Sequence, residues 1–150
     1  MRLAVSTPLA VVVEAGDVAH LRAEDDTGAF GILPGHADFL TALTISVVTW
    51  RDPDGREHHI AVRGGMLEVR GGDTIAVATR EAMPGDDLHH LEAEVLATFR
   101  RQAEEERAAR SDAQRLYLAA MRQIIRLIRS DQSPSLPGGP DGASFDGFDA

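Results

Sequence analysis

The sequence predicts an antiparallel β-sandwich or barrel, followed by two helices and a disordered C-terminal tail. Three observations along the 150 residues support this fold class. Up to about Arg80, short β-prone runs alternate with turn residues, and after Pro84 apolar residues recur at helical spacing. The last twenty residues are rich in Pro, Gly, Ser and Asp, which bury too little apolar surface to offset chain entropy. The predicted segments are a β domain at 1–86, a helical domain at 87–130 and a tail at 131–150.

Two turns in the β domain predict hairpins. Pro53-Asp54-Gly55 separates two β-prone runs, and it is suited to a turn because proline presets one backbone angle and glycine tolerates a reversed one. Gly71-Gly72-Asp73 separates EVR from TIAV in the same way. The other β-prone runs lie about 8 to 12 residues apart, which is typical of a sandwich or barrel.

The helical domain is predicted to contain two helices. Apolar residues from Leu88 to Phe99 follow the helical period, with Asp86 or Asp87 as the N-cap, and the helix is expected to end near Arg110. The stretch 111–114, Ser-Asp-Ala-Gln, matches a capping box that would start a second helix. Such a cap stabilises a helix start by about 1 kcal/mol, whereas serine inside a continuous helix costs roughly half as much. A folded hairpin and one extended helix are therefore close in local free energy.

The residue types exclude several kinds of chemistry. There are no cysteines, so disulfides, thiol nucleophiles and thiolate metal sites are excluded, and there is no lysine for a phosphate-binding loop. The pairs His58-His59 and His89-His90 point their rings in different directions on a strand and on a helix. We therefore predict neither a catalytic residue nor a metal site.

Charge is unevenly distributed along the chain. Residues 1–87 carry 7 Arg and 14 acidic residues, 88–130 carry 8 Arg and 6, and 131–150 carry none and 4, which gives −7, +2 and −4 and the total of −9. An acidic body argues against nucleic-acid binding. With no apolar stretch of about 20 residues and no secretory cleavage pattern, the sequence predicts a cytoplasmic protein.

Four arginines in the second predicted helix share one face. At about 100° per residue, they fall within a sector of roughly 60°, opposite a mainly apolar face. These residues are Arg115, Arg122, Arg126 and Arg129. Two interpretations stay open: a solvated face above an apolar seam, or a surface that binds a carboxylate-rich partner or a phosphate.

The stretch GAFGILPGHADFLTAL at 28–43 places His36 between a Pro-Gly turn and an apolar run. That histidine could be a general base, a metal ligand or part of a contact surface. Further along, RGGMLEVRGG at 63–72 has the glycines of an RNA-binding tract, but turns or bulges around an alternating strand explain them better.

Together, the 28–43 stretch, the strand AVRGGMLEV and the terminal helices resemble the epsilon subunit of the bacterial-type rotary F-type ATP synthase, over about residues 3–130. The resemblance implies a β-sandwich of about ten strands with a C-terminal two-helix antiparallel hairpin. It also implies a non-catalytic central-stalk subunit that binds the gamma subunit and rests on the membrane ring of ion-carrying subunits. Such a subunit lies at the cytoplasmic face of the bacterial inner membrane, as a peripheral component.

The resemblance also assigns roles to residues. Gly31, Pro34, Gly35 and His36 match a stalk-contact loop, in which His36 supplies shape and hydrogen bonding. The four helix arginines match basic residues that meet an acidic region of the beta subunits in the alpha–beta head and block ATP hydrolysis. No cofactor is required, but some members bind a regulatory ATP. The residues matching that ATP site are Asp112, Arg115, Arg122 and Arg126.

Three positions depart from the family pattern. Ala29 replaces a frequent acidic residue, Ser111 an aliphatic one and Leu116 a small one, and these departures favour an alternate, sodium-coupled type. Two other functions are weighed against the stalk subunit. One is a free-standing regulatory sandwich that binds nucleotide or anionic membrane through its arginine-rich helix, and the other is an enzyme with His36 as a base near Asp38.

Overall fold

The computed structural model describes residues 1–131 and 147. Nearly all of the predicted disordered tail at 131–150 thus lies outside the described residues. Eight β-strands are found in the described part of the chain. They are β1 Arg2–Ser6, β2 Val11–Ala15, β3 His20–Asp25, β4 Gly28–Ile32, β5 Phe39–Arg51, β6 Glu57–Arg70, β7 Thr74–Ala78 and β8 Ala82–Gly85.

The strands form one sheet that bends back on itself. Its order is β2-β1-β7-β6-β5-β3-β4, with β8 paired to β6, and all pairs are antiparallel except β1 with β7. Strand β6 pairs with β8 through 59–62 and with β7 through 66–70. Gly64 and Gly65 lie between these two stretches at φ of +66° and +118°, conformations that favour glycine. β5 and β6 run through the bend unbroken, and the described residues form eight strands, where the resemblance implies about ten.

The core lies inside the bent sheet. Alternate side chains of each strand are buried, as in β1 with Leu3 and Val5 and in β7 with Ile75 and Val77. Leu21, Ile32, Val48, Ile60 and Leu67 complete the centre of this cluster. The predicted β-sandwich is therefore confirmed.

Both predicted hairpins are confirmed. At the first, Gly55 adopts a φ of +82°, and the carboxylate of Asp52 accepts a hydrogen bond of 2.9 Å from the backbone N–H of Arg56. At the second, Arg70 pairs with Thr74, and Gly71 and Gly72 adopt φ of +60° and +71°. The glycines of the Arg-Gly-Gly repeat thus serve a bend and a turn, as predicted.

The helical segment begins where the sequence predicted. The carboxylate of Asp87 accepts hydrogen bonds from the backbone N–H groups of His89 and His90, at 2.9 and 3.3 Å. Helix α1, a π-helical turn and helix α2 follow, at Leu88–His90, Leu91–Val95 and Leu96–Asp131. A second buried cluster joins this segment to the sheet, and it consists of Ala61, Leu91, Val95, Leu96 and Phe99.

A single helix replaces the predicted two-helix hairpin. Helix α2 passes through Ser111 without a break. Because every residue at 107–131 is exposed, no burial of the helix's apolar side favours a break over continuation. Within the helix, Asp112 lies 4.0 Å from Arg115 three residues later, on the same helix face. The two arrangements differ little in local free energy, and the chain adopts the extended helix.

The chain divides into two compact units. The first comprises Met1–Arg107, so the beginning of α2 belongs with the sheet, and the second begins at Ala108. The predicted division at 1–86, 87–130 and 131–150 stays a prediction about independently folding domains. In the described residues, no helix has the length and apolar character needed to cross a membrane.

Candidate interaction surfaces

Two turns form a rim at one end of the sheet, which we define as residues 33–38 and 70–73. The backbone N–H of Gly35 donates a hydrogen bond of 2.8 Å to the carbonyl of Gly72. A Cβ atom on Gly72 would lie 2.9 Å from the Cα of Gly35, closer than real Cβ contacts. The backbones of the two turns therefore touch directly, and only glycine fits at position 72.

Asp38 provides a second link between the turns. Its carboxylate Oδ1 accepts a hydrogen bond of 2.8 Å from the backbone N–H of Gly71. Among the described residues, no hydrogen bond joins Asp38 to His36. Asp38 therefore holds the rim together and does not orient the imidazole, as a catalytic histidine–carboxylate pair would require.

His36 is fixed within the rim. Its backbone N–H donates to the carbonyl of Leu33 at 3.1 Å, and its ring Nδ1 lies 2.7 Å from the carbonyl of Ala37. Since a carbonyl oxygen can only accept, Nδ1 carries the proton of that hydrogen bond. The ring also meets Phe39 edge to face, with the ring centres 5.7 Å apart. These contacts give His36 a shape-defining role.

The four predicted loop residues do not all lie together. Pro34, Gly35 and His36 belong to the rim, where Pro34 and Gly35 are exposed. Gly31 lies on β4 instead, where a Cβ atom would come within 3.0 Å of the ring Nε2 of His20. Gly31 therefore makes room for a neighbouring histidine.

One side of the sheet exposes apolar residues that the sequence patterns did not predict. Ala42 pairs with Met66 and Met66 with Ala78, while Leu40 and Ala76 both pair with Glu68. Leu40 is 62% exposed and Met66 43%. We call Leu40, Ala42, Met66, Ala76 and Ala78 the sheet face. The signal was present in LTAL and IAVA, where apolar residues fill both sides of a strand instead of alternating with polar ones.

The predicted helix residues lie along α2. Asp112 and the four arginines are all exposed, and they occupy one continuous helix instead of a cleft between two helices. They therefore form an open face and not an ATP pocket in this arrangement. We call Arg115, Arg122, Arg126 and Arg129 the arginine stripe. Around the rest of this helix, large apolar side chains are exposed at Leu116, Tyr117, Leu118, Met121, Ile124, Ile125, Leu127 and Ile128.

An ion-pair network attaches the beginning of α2 to the sheet. The carboxylate of Glu106 forms ion pairs with the guanidinium groups of Arg63, at 2.7 Å, and Arg80, at 3.1 Å. Arg63 also lies 3.9 Å from Glu81, and its side chain is only 12% exposed. This network could not be predicted from the sequence, because its members are far apart along the chain.

The carboxylates of Asp25 and Glu57 have lowered pKa values because they accept hydrogen bonds from neighbouring side chains. The hydroxyl groups of Thr27 and Thr41 donate to the carboxylate of Asp25 at 2.6 and 2.8 Å and hold its pKa below the ordinary value. The pKa of Glu57 is lowered by a hydrogen bond from Arg51. No group of three His, Cys, Asp or Glu side chains in the described part of the chain could hold a metal ion.

Comparison with known proteins places this architecture in a family. Residues 1–85 match the model described as "ATP synthase, Delta/Epsilon chain, beta-sandwich domain". The chain is 44% identical over 138 residues to "ATP synthase epsilon chain 2" of Cereibacter sphaeroides, covering 89% of this chain and 90% of that protein. It is 43% identical over 129 residues to the protein of that name from Paraburkholderia xenovorans, covering 86% and 93%.

A solved structure shares the fold. A chain of the Euglena gracilis mitochondrial ATP synthase OSCP/F1/c-ring structure superposes with a TM-score of 0.54 at 22% identity. The match covers 71% of this chain and 62% of that one, less than two thirds of its length. At this identity, the likeness concerns the fold.

Proposed function

Because the chain belongs to the ATP synthase epsilon chain family, whose members are non-catalytic stalk subunits of the complex, we propose that its sandwich joins the gamma subunit to the membrane ring. The sheet face is the observation that carries this proposal. Two large apolar residues and three alanines lie there in register across three strands, exposed to solvent, with Glu68 between Leu40 and Ala76 on the same side. Flat apolar faces of this kind mark protein–protein contacts.

The rim supplies the second contact of the proposed stalk subunit. Leu33 is exposed at its tip beside Pro34 and Gly35, on turns that are held together by the Gly35–Gly72 and Asp38–Gly71 hydrogen bonds. A preorganised loop loses little conformational entropy when it binds. We assign the rim to the ring of ion-carrying subunits, at the cytoplasmic face of the bacterial inner membrane. The sodium-coupled type stays a prediction.

The arginine stripe is assigned to restraint of ATP hydrolysis. An extended α2 presents four guanidinium groups on one face, and such groups bind carboxylates in bidentate fashion. The partner of this face is the acidic region of the beta subunits in the alpha–beta head. A regulatory ATP on Asp112, Arg115, Arg122 and Arg126 would require α2 to fold back, because these residues form an open face when the helix is extended.

The gamma contact is tested by one substitution on the sheet face. Met66→Glu replaces the central apolar side chain of this face with a second carboxylate beside Glu68, and we expect the tagged chain to lose at least tenfold in recovery of gamma, alpha and beta subunits from its own cells. Met83→Glu is the matched control, because Met83 is 45% exposed against 43% for Met66 but lies on β8. Equal recovery with the two variants would contradict the assignment of the sheet face. Recovery of no synthase subunit by the unaltered chain would favour a free-standing module.

The restraint of hydrolysis is tested on the assembled complex. Arg122→Gln with Arg126→Gln should raise the rate of ATP hydrolysis several-fold. Arg100→Gln with Arg101→Gln removes the same charge from the beginning of the same helix and should leave the rate unchanged. Titration of the unaltered isolated chain with ATP then tests the nucleotide assignment separately.

A further inference from the structure

A polar cleft lies on the outer side of the sheet, where the helical segment begins. On β3, Leu21 points into the core, so His20 and Arg22 on either side of it point outward. Strand pairing extends this outward set across β5 and β6 in two rows, His20–Arg51–Glu57 and Arg22–Thr49–His59. With Trp50 and Leu88, these six residues line a cavity of about 220 Å³, which we call the outer cleft. In a chain with a net charge of −9, the outer cleft brings together two arginines and two histidines.

Arg22 is an unpaired cation in the outer cleft. Its side chain is exposed, and no carboxylate or other group of the described residues forms an ion pair or hydrogen bond with it. Arg51, in contrast, is paired with Glu57 at 2.5 Å. The two arginines and the glutamate give the lining a formal positive charge while both histidines are neutral. The charge of Arg22 is therefore available to a ligand.

His59 directs a second free group into the outer cleft. The residue is only 8% exposed, and its Nδ1 lies 2.9 Å from the hydroxyl oxygen of Thr49. Within the described part of the chain, Nε2 has no hydrogen-bond partner, yet it stays accessible to solvent. When the Thr49 hydroxyl donates to Nδ1, the proton of the neutral ring is on Nε2. An N–H group of a largely buried ring thus faces the cavity, where an acceptor would complete its hydrogen bonding.

We propose that the outer cleft binds a phosphate group. The anionic oxygens of phosphate accept hydrogen bonds from several sides, and a guanidinium group donates two parallel N–H groups to them. Arg22 and the Nε2–H of His59 supply such donors from β3 and β6, in the same row across the sheet. A metal ion does not suit this lining, because no cluster of three His, Cys, Asp or Glu side chains among the described residues could hold one.

The size of the outer cleft favours a small ligand. Its volume of about 220 Å³ is below the roughly 300 Å³ at which pockets for drug-sized molecules begin, so inorganic phosphate is a suitable occupant. An adjoining cavity of about 340 Å³ shares Arg22, Thr49 and Leu88 with the outer cleft. It leaves room for the remainder of a phosphate ester such as a nucleotide. Free phosphate and a phosphate ester are thus two sources of the same chemical group.

A bound phosphate would stabilise the junction between the sheet and the helical segment. Leu88 is the first residue of α1 and lines both cavities, so the ligand lies between strand residues and the start of the helix. A ligand that binds only the folded chain raises its stability by mass action. The outer cleft shares no residue with the sheet face, the rim or the arginine stripe. Phosphate binding there is therefore independent of the proposed stalk function, and either can fail without the other.

The isolated full chain is titrated with sodium phosphate in place of sodium chloride at constant ionic strength, and the imidazole nitrogens are followed by ¹H–¹⁵N NMR. We expect the resonances of His59 and His20 to shift with one saturable midpoint at about 1 to 10 mM, since a ligand of few atoms binds weakly. His36 is the internal reference, because it lies in the rim, and its resonances should not shift. A parallel titration with ATP identifies the source of the phosphate group. A lower midpoint for ATP indicates a phosphate ester, and a lower midpoint for inorganic phosphate indicates the free ion.

Three substitutions test the donors of the outer cleft. Arg22→Gln removes the unpaired cation and should raise the midpoint roughly fivefold or more. Arg56→Gln is the matched control, because Arg56 is exposed on the turn 52–56 outside the cleft, and it should leave the midpoint unchanged. Glu57→Gln removes the carboxylate from the lining and should lower the midpoint about twofold. Absence of saturation by either ligand, equal midpoints in Arg22→Gln and Arg56→Gln, or weaker binding in Glu57→Gln would overturn the proposal.

Discussion

Arg63 on β6 and Glu106 on α2 form an ion pair, with Nη2 of the arginine 2.7 Å from Oε1 of the glutamate. Arg80 reaches the other carboxylate oxygen of Glu106 at 3.1 Å. These pairs attach α2 to the sheet one residue before the compact unit ends at Arg107. They therefore define where the part of the helix that packs on the sheet ends.

Arg63→Ala should lower the free energy of unfolding by about 2 to 3 kcal/mol, between the values typical of exposed and buried ion pairs. The side chain is 12% exposed, and its loss leaves the neighbouring carboxylates of Glu81 and Glu106 close together. Arg70→Ala is the control, because its 2.7 Å pair with Glu68 has the same length but the arginine is 72% exposed. Urea unfolding should show a loss of at most about 1 kcal/mol for that variant. Equal losses in the two variants would show that the burial of Arg63 does not strengthen its ion pairs.

Gly72→Ala should disrupt the rim. The added methyl group would lie 2.9 Å from the Cα of Gly35, so the two turns must move apart and the Gly35–Gly72 hydrogen bond is lost. Gly71→Ala controls for backbone strain, because its φ of +60° is similar to the +71° at Gly72, whereas the atom nearest to an added Cβ, a carboxylate oxygen of Asp73, is 3.7 Å away. Amide hydrogen exchange at Gly35 should accelerate strongly in the first variant only. If both variants exchange alike, the backbone contact does not hold the rim.

Phe99→Ala should cost about 3 to 5 kcal/mol of unfolding free energy, as expected for a large aromatic group removed from a core. Phe99 is 1% exposed in the cluster that joins the helical segment to the sheet. Leu116→Ala, at a position 72% exposed on the same helix, should change the unfolding free energy by less than about 0.5 kcal/mol. Thermal unfolding of both variants checks the difference, and similar melting temperatures would show that the cluster is not a core.

Thr41→Val should weaken the dependence of stability on acidic pH. A folded-state pKa below the ordinary value of 3.8 means that Asp25 contributes stability above that pH and loses it as the pH falls through the lower folded-state pKa. Removing the Thr41 hydroxyl takes away one of the hydrogen bonds that lower this pKa. Thr44→Val is the control, since that hydroxyl donates to the backbone carbonyl of Glu24. Unfolding free energies at pH 7 and pH 3 should differ less in Thr41→Val than in Thr44→Val, and an equal difference would contradict this assignment.

Local features of the fold were predictable because each depends on residues that are close along the chain. Alternating apolar residues marked the strands, Pro53–Gly55 and Gly71–Asp73 marked the hairpins, and the pair Asp86-Asp87 marked the start of the helix, where Asp87 is the N-cap. The arginine stripe followed from the helical period alone. The family was likewise recognised from contiguous motifs, above all GILPGHA.

Other features depend on residues that only folding brings together. The Gly35–Gly72 contact, the Arg63–Glu106 pair and the sheet face each join positions on different strands, turns or helices, and no local pattern encodes their distance. At Ser111 the local signals nearly balanced, and because every residue at 107–131 is exposed, no packing of the apolar side of the helix favours a break there. The sequence by itself thus determined the strands, turns, helix start and charged face, whereas the tertiary structure decided which surfaces lie exposed and which side chains attach the beginning of α2 to the sheet, since burial and long-range contacts exist only in the folded chain.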